Sequence, residues 1–459
     1  MKILLSLLGV VALGTTTAVT VVAAMPNRFT ADADKMVGMG IDKSNAVEQE
    51  DLVNDLGFTN FYTIGDSLSD RGGLSSLVGG ALTTAVKELS GFVGDNVETI
   101  KPILVNIISE ILGGEPINQV LAQIAAQTIL GYLNDVDTEK TKVEFKLDFT
   151  DGKGNIENSF TNGKPAAVLL AERLGFAVED STGETKEGQR TFNSAVNTNV
   201  GNLINVKTEE VGNNYAIGGA TAANIHGIMG LVLNPVRIHD QARALIKDHK
   251  TKPTDLVFLE IGGNDLFSMM SLYESGKEDQ IEEAMNEAIK NIKTALLILL
   301  NNGVSNIIVG NAPDISMIPS YFEDPKAHEL SQEFNRRFVE MFDEVNENYG
   351  GTMRTYDMEN NFREIRDQFI QLHGEDKVNV SDASVSLGGG DSTLDMIQFL
   401  TTEEGIEIKI NVGNPRKDNL EKGKEYLFWD TIHPSAWVHE QVSLELIDIA
   451  TEMSESINK

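Results

Sequence analysis

Apolar residues along the chain fall into two kinds of run. Phe58-Thr59-Asn60-Phe61-Tyr62-Thr63-Ile64, Leu256-Val257-Phe258-Leu259-Glu260-Ile261 and Ile307-Ile308-Val309 are short and rich in β-branched and aromatic residues, which predicts buried strands. A weaker run at Met353-Arg354-Thr355-Tyr356 predicts a fourth. Asp279 to Leu300 and Ala327 to Glu347 instead place apolar residues at helical spacing with charges opposite, and each ends at a Gly or Asn stop. Further helices are predicted from Asn162-Gly163-Lys164-Pro165 through Leu174, and from about Trp437 onward. Largely apolar strands alternating with helices predict a parallel sheet covered on both faces.

The remaining stretches give the outline of the chain. From Gly72 to about Asn134 charges are few, and Ile103, Leu104, Ile107, Ile108 and Ile111 recur at helical spacing behind Pro102, which predicts an apolar helical insertion. Val143, Phe145, Leu147 and Phe149 alternate with polar residues before Asp151-Gly152-Lys153-Gly154, predicting a strand and a hairpin turn, and Asp151 and its neighbours do not fit a calcium loop. The segment from Leu174 to Asn214 is polar and rich in Gly and Asn, and predicts a loop. Residues 25–55 lack a sustained period and predict a linker or N-terminal arm. The main domain is expected over 56–455, interrupted by the mainly helical insertion at 75–159.

Residues 1–24 are an apolar run with one positive residue, Lys2, and end in Val22-Ala23-Ala24, which predicts an export signal cleaved after Ala24 and a secreted or cell-surface protein. An uncleaved anchor is the rival reading, because the run approaches the roughly 20 residues that span a bilayer. Composition narrows the partners. The chain has 459 residues, 69 acidic against 37 basic, for a net charge of -32, which argues against nucleic acid and against electrostatic docking on anionic lipid. With no cysteine, disulfides, thiolate metal sites and a catalytic thiol are excluded.

Candidate chemistry begins at Gly65-Asp66-Ser67-Leu68-Ser69-Asp70, directly after the first strand. A serine between strand and helix has its hydroxyl in a crevice and its N–H free, as a nucleophile requires, although helix capping explains Asp-Ser equally simply. After the strand at Leu256 stands Gly262-Gly263-Asn264-Asp265, where Asn264 offers side-chain N–H donors; a plain turn with Asp265 capping the next helix is the alternative. Asn214-Tyr215-Ala216-Ile217-Gly218-Gly219-Ala220-Thr221 supplies small residues that let a backbone N–H approach a ligand. Near the C-terminus, Asp430-Thr431-Ile432-His433-Pro434 sets a carboxylate three positions before an imidazole, so that both project from one turn. Of the seven histidines only His433 has this arrangement.

Taken in order, Gly65-Asp66-Ser67-Leu68-Ser69-Asp70, Gly218-Gly219-Ala220, Gly262-Gly263-Asn264-Asp265 and Asp430-Thr431-Ile432-His433-Pro434 resemble the four sequence blocks of GDSL-type esterases and lipases, the SGNH hydrolases. The segments Phe160 to Gly175, Asn311-Ala312-Pro313-Asp314 and Tyr426-Leu427-Phe428-Trp429-Asp430 resemble connecting stretches of that family. Arg71 and Gly73 stand where family members often carry Thr and Asn.

The resemblance implies a three-layer α/β/α sandwich with a mostly parallel, flavodoxin-like sheet. It also implies a serine ester hydrolase that works through an acyl-enzyme: Ser67 as nucleophile, His433 as base and Asp430 orienting the imidazole. The oxyanion would be held by the N–H groups of Ser67 and Gly219 and the amide of Asn264. Gly218 remains the alternative to Gly219. No metal or cofactor is implied. The substrate is expected to be a small-molecule or lipid ester, lipid acyl esters ahead of others because the apolar insertion follows Ser67, a phospholipase or lysophospholipase included. Transient membrane-surface contact is expected through the insertion. A carbohydrate O-acetylesterase and a non-catalytic binding protein on the same fold remain the other readings.

Overall fold

The computed structural model describes residues 33–48, 53–90, 142–148, 158–176, 192–200, 204–226, 228–374, 385–386, 397–402, 405–411, 414–415 and 426–457, with single positions at 105, 123 and 127. The leader at 1–24, the Ile103 to Ile111 helix and the Asp151 to Gly154 turn lie outside these residues. Among the described residues, no helix is long and apolar enough to cross a membrane.

Four strands, β1 (Phe61–Ile64), β5 (Leu256–Glu260), β6 (Asn306–Gly310) and β7 (Arg354–Tyr356), form a parallel sheet in the order β1-β5-β6-β7. Beside β1 the loop through Asn214 runs parallel, with Thr63 N–H donating to the Asn213 carbonyl and Tyr215 N–H donating to the Thr63 carbonyl. Strand residues alternate between two cores, as the pleat demands. Tyr62, Ile64, Val257, Leu259, Ile307 and Val309 face one cluster, and Phe61, Leu256, Phe258, Ile308 and Tyr356 face the other.

Helices α4 (Ile238–Asp248), α5 (Gly263–Glu274), α6 (Ile281–Asn301) and α7 (Pro325–Asn348) contribute to the first cluster, after the short α3 (Ile228–Leu233). Helix α2 (Ala166–Arg173) contributes to the second, and α8 (Met358–His373) and α9 (Ala436–Ile457) supply side chains to both. The molecule is thus mixed α/β with a mostly parallel sheet flanked by helices, a three-layer α/β/α arrangement. Each parallel strand delivers the chain to the same sheet edge, which puts Ser67, Asn264 and the Asn311 loop along one rim.

The stretch read as a mainly helical insertion contributes more than helix. Its helix α1 (Gly73–Ser90) packs on β2 (Lys142–Asp148), where Val143 N–H donates to Thr83 Oγ1 at 2.7 Å. β2 pairs in parallel with β10 (Gly405–Asn411), which pairs antiparallel with β9 (Ile397–Thr402); a separate pair, β8 (Val385–Ser386) with β11 (Asn414–Pro415), completes the C-terminal strands. The alternation at Val143 and Phe145 therefore marks a real strand, whose partner among the described residues, β10, is distant in sequence.

Two other expectations are corrected. The segment read as loop between Leu174 and Asn214 contains the hairpin β3 (Asn197–Val200) and β4 (Ile204–Lys207); Thr198, Val200 and Val206 are buried, an alternation obscured by the intervening Asn residues. β1 begins at Phe61 and not at Phe58, because Asn54 Oδ1 accepts the N–H groups of Leu56 and Phe58 and holds the entry in a turn. In the stretch read as arm, the carbonyls of Asp34 and Val37 accept from Asn301 Nδ2 at the end of α6.

Candidate active site

Gly65 to Asp70 makes the sharp turn that leaves β1, and several buried groups hold it. Gln241 from α4 clamps Gly65 from both sides: Gly65 N–H donates to its Oε1 at 2.7 Å, and its Nε2 donates to the Gly65 carbonyl at 2.9 Å. Asp66 Oδ1 accepts from Leu68 N–H at 3.0 Å. Asp70 accepts from the N–H groups of Gly72, Gly73 and Leu74, so it is Asp70 that caps α1. Its other contact is with Gly218 N–H at 2.6 Å, which ties the turn to the Gly218 loop. Burial pushes the Asp70 carboxyl up to about 6 against these four N–H bonds, which favour the anion.

With capping assigned to Asp66 and Asp70, the Ser67 side chain has a different partner. Ser67 is 9% exposed, and its Oγ lies 2.9 Å from His433 Nε2. His433 Nδ1 lies 2.7 Å from Asp430 Oδ2, and Asp430 Oδ1 accepts from the N–H groups of Ile432 and His433 at 2.8 and 2.6 Å. Asp430 is fully buried. Burial pushes its carboxyl up, but His433 and the backbone donors outweigh burial and hold it below the usual range. Burial pushes His433 down, while Asp430, helped by Asp66, outweighs that and leaves the imidazole above its ordinary value. Phe160 packs on the ring, with centroids 5.1 Å apart.

Donors gather on the other side of Ser67. Gly219 has φ +79°, a left-handed conformation natural to glycine. Gly218 N–H is taken by Asp70 and Ala220 N–H donates to the Ile217 carbonyl, whereas the N–H groups of Gly219 and Ser67 have no partner among the described residues. Asn264, second in α5, donates one Nδ2 proton to the Ala220 carbonyl at 3.0 Å, which fixes the amide, and its second proton has no partner among the described residues. Asp265 is not a cap: it is buried and accepts from Ala222 and Ala223 N–H, holding the loop after Gly219 against α5. Burial pushes its carboxyl up to about 7.

The departures at Arg71 and Gly73 also have a structural reason. Arg71 Nη1 donates to the Phe192 carbonyl at 2.7 Å. A Cβ on Gly73 would lie 2.2 Å from the Ala216 carbonyl oxygen, so the turn admits no side chain there. Of the other six histidines, His249, His328 and His439 have partners, the Gly212 carbonyl, Asp314 and Ala166 N–H respectively. His439 Nδ1 accepts, and burial pushes that ring down to about 3, so it is neutral.

Behind this rim lies an apolar cavity of about 80 Å³, reached by Leu68 and by Ile432 and Pro434 on either side of His433, and walled by Phe258, Phe428 and Val438. Among the described residues there is no cluster of His, Asp and Glu suited to hold a metal ion.

A family model described as GDSL-like Lipase/Acylhydrolase matches residues 61–446, a span from β1 into α9 that takes in Ser67, Gly219, Asn264, Asp430 and His433. A search of curated proteins finds no match to the chain.

Proposed function

The chain belongs to the GDSL-like lipase/acylhydrolase family, hydrolases of ester substrates, and from that premise we propose that it cleaves carboxylic esters through Ser67, His433 and Asp430. One observation carries the reading: the 2.9 Å contact between Ser67 Oγ and His433 Nε2, continued at 2.7 Å to Asp430. In this mechanism Ser67 Oγ attacks the ester carbonyl carbon while its proton passes to His433 Nε2. The imidazolium then gives that proton to the leaving alkoxide. Water repeats the sequence on the acyl-enzyme, freeing the acid and restoring Ser67. Asp430, fixed by two backbone N–H groups, keeps the other ring proton on Nδ1, so that Nε2 is free to accept.

The negative charge on the carbonyl oxygen would be met by the N–H groups of Ser67 and Gly219 and by the second proton of Asn264. Such donors act on charge that develops only in the transition state and need no reorganisation as it forms. Asn264→Ala is therefore expected to lower kcat by about 10²–10³-fold with a small change in KM. Steady-state kinetics on one ester checks this, and an effect on KM alone would remove Asn264 from that role.

Turnover of acyl esters is favoured over simple binding because a binder gains nothing from a charged relay aimed at a serine hydroxyl. A fluorophosphonate probe should label Ser67, located by peptide mass spectrometry, and p-nitrophenyl esters should be turned over. No label on Ser67 in folded protein would support the binding-protein reading instead.

A further inference from the structure

Two buried carboxyl groups lie beneath the Ser67 turn and take no part in the steps above. Asp66 immediately precedes Ser67, and Glu260 is the last residue of β5; they are 3% and 2% exposed. Asp66 N–H donates to Glu260 Oε1 at 2.9 Å, and the two carboxyl groups act directly on each other. The fit is close: a Cβ on Gly65 would lie 2.3 Å from Glu260 Oε1, so the glycine is what lets Glu260 reach beneath the turn.

The charged and titratable neighbours of the pair are few. His433 from the C-terminal loop and Asp265 from α5 act on Asp66. Glu260 shares the apolar cavity with Asp314, Tyr356 and His439, and no Lys or Arg lines it. Two adjacent carboxyl groups, out of water and without a cation between them, do not both ionise.

We propose that Glu260 and Asp66 hold one proton between them, Glu260 as the neutral acid and Asp66 as the anion, and that Glu260 is thereby a positioning residue for Ser67 and His433. The proton belongs on Glu260 for two reasons. The positive form of His433 acts on Asp66, next to Ser67, and favours an anion there. Burial pushes both carboxyls up, and the neighbouring Asp66 charge pushes Glu260 up further. The pair accordingly presents one negative charge to His433. It supports the nucleophile's turn through the Asp66 N–H without setting a second charge beneath it.

The proposal rests on His433 being the base, and the test separates the two. Three full-length variants are made: Glu260→Gln, Glu260→Leu and Asp66→Asn. The His433 ring is titrated by NMR, which needs no turnover, and kcat and KM are measured on p-nitrophenyl acetate. Glutamine reproduces the neutral acid, its amide donating to Asp66 and its carbonyl accepting the Asp66 N–H. Glu260→Gln should therefore leave the His433 midpoint within about 0.2 pH units, and Asp66→Asn should lower it by about 0.5 or more. Glu260→Leu, where it folds, should lose at least about tenfold in kcat, and Glu260→Gln should recover most of that loss.

A fall of the midpoint in Glu260→Gln as large as in Asp66→Asn would overturn the proposal, because it would show that Glu260 carries charge. So would a folded Glu260→Gln enzyme with kcat reduced more than about 30-fold. Should Ser67 or His433 prove dispensable for hydrolysis, the ester-hydrolase mechanism fails, while the titration still decides where the proton sits.

Discussion

Ser67→Ala is expected to lower kcat for ester hydrolysis by about 10⁴-fold or more, with the fold unchanged. Side-chain truncation costs little in structure here, because the turn does not depend on the Ser67 hydroxyl. Leu68 N–H is satisfied by Asp66, and Gly72, Gly73 and Leu74 N–H by Asp70, so removing Oγ orphans no backbone donor. It deletes only the group that His433 Nε2 faces at 2.9 Å. A capping serine would behave in the opposite way, costing about 1 kcal/mol of stability and leaving the rate alone. His433→Gln should match the Ser67→Ala loss, and the double variant should fall little further, because residues of one relay act as a unit. Circular dichroism and steady-state rates on p-nitrophenyl acetate decide it. Retention of a tenth of the activity in Ser67→Ala would end the nucleophile assignment.

What made Ser67 and the Asp430-His433 pair legible in the sequence is that each sits in a short local pattern: a turn after an apolar strand, and an acid and an imidazole three positions apart. The sheet was legible for a similar reason, since strands buried on both faces are apolar runs. The supports of the site carry no such signal. Gln241 meets Gly65 across 176 positions, Glu260 meets Asp66 across 194 and Asp70 meets Gly218 across 148. None of these spacings has a period, and each depends on how β1, β5 and the Asn214 loop come to lie side by side.

The choice between Gly218 and Gly219 was closed to sequence for the same reason, because it turns on which N–H Asp70 consumes. Some elements went unread for local causes. In α4, Ile238, Ala242, Leu245 and Ile246 have helical spacing, but His239, Asp240 and Gln241 between them weaken the contrast between faces. β2 alternates correctly yet finds its partner in β10, a pairing that only the tertiary fold defines.

Asp430→Asn is expected to lower kcat by about 10⁴-fold near neutral pH, although it changes a single atom of the side chain. The cause is directional. Asp430 Oδ1 accepts two backbone N–H groups, so an asparagine must keep its carbonyl oxygen there and turn its NH₂ toward His433 Nδ1. Two donors cannot face each other, so Nδ1 becomes the acceptor and the ring proton moves to Nε2, where it faces Ser67 Oγ. That tautomer cannot take the Ser67 proton.

The pH profile distinguishes this from a loss of structure. In the wild type, Asp430 is the main influence raising His433 above its ordinary value of 6.5, so kcat/KM should be lost as pH falls through a midpoint above that value. Removing the carboxylate removes that attraction, and the midpoint of the residual activity should move to lower pH. An Asp430→Asn enzyme with a full rate and an unmoved acid limb would show that the imidazole is oriented by some other group.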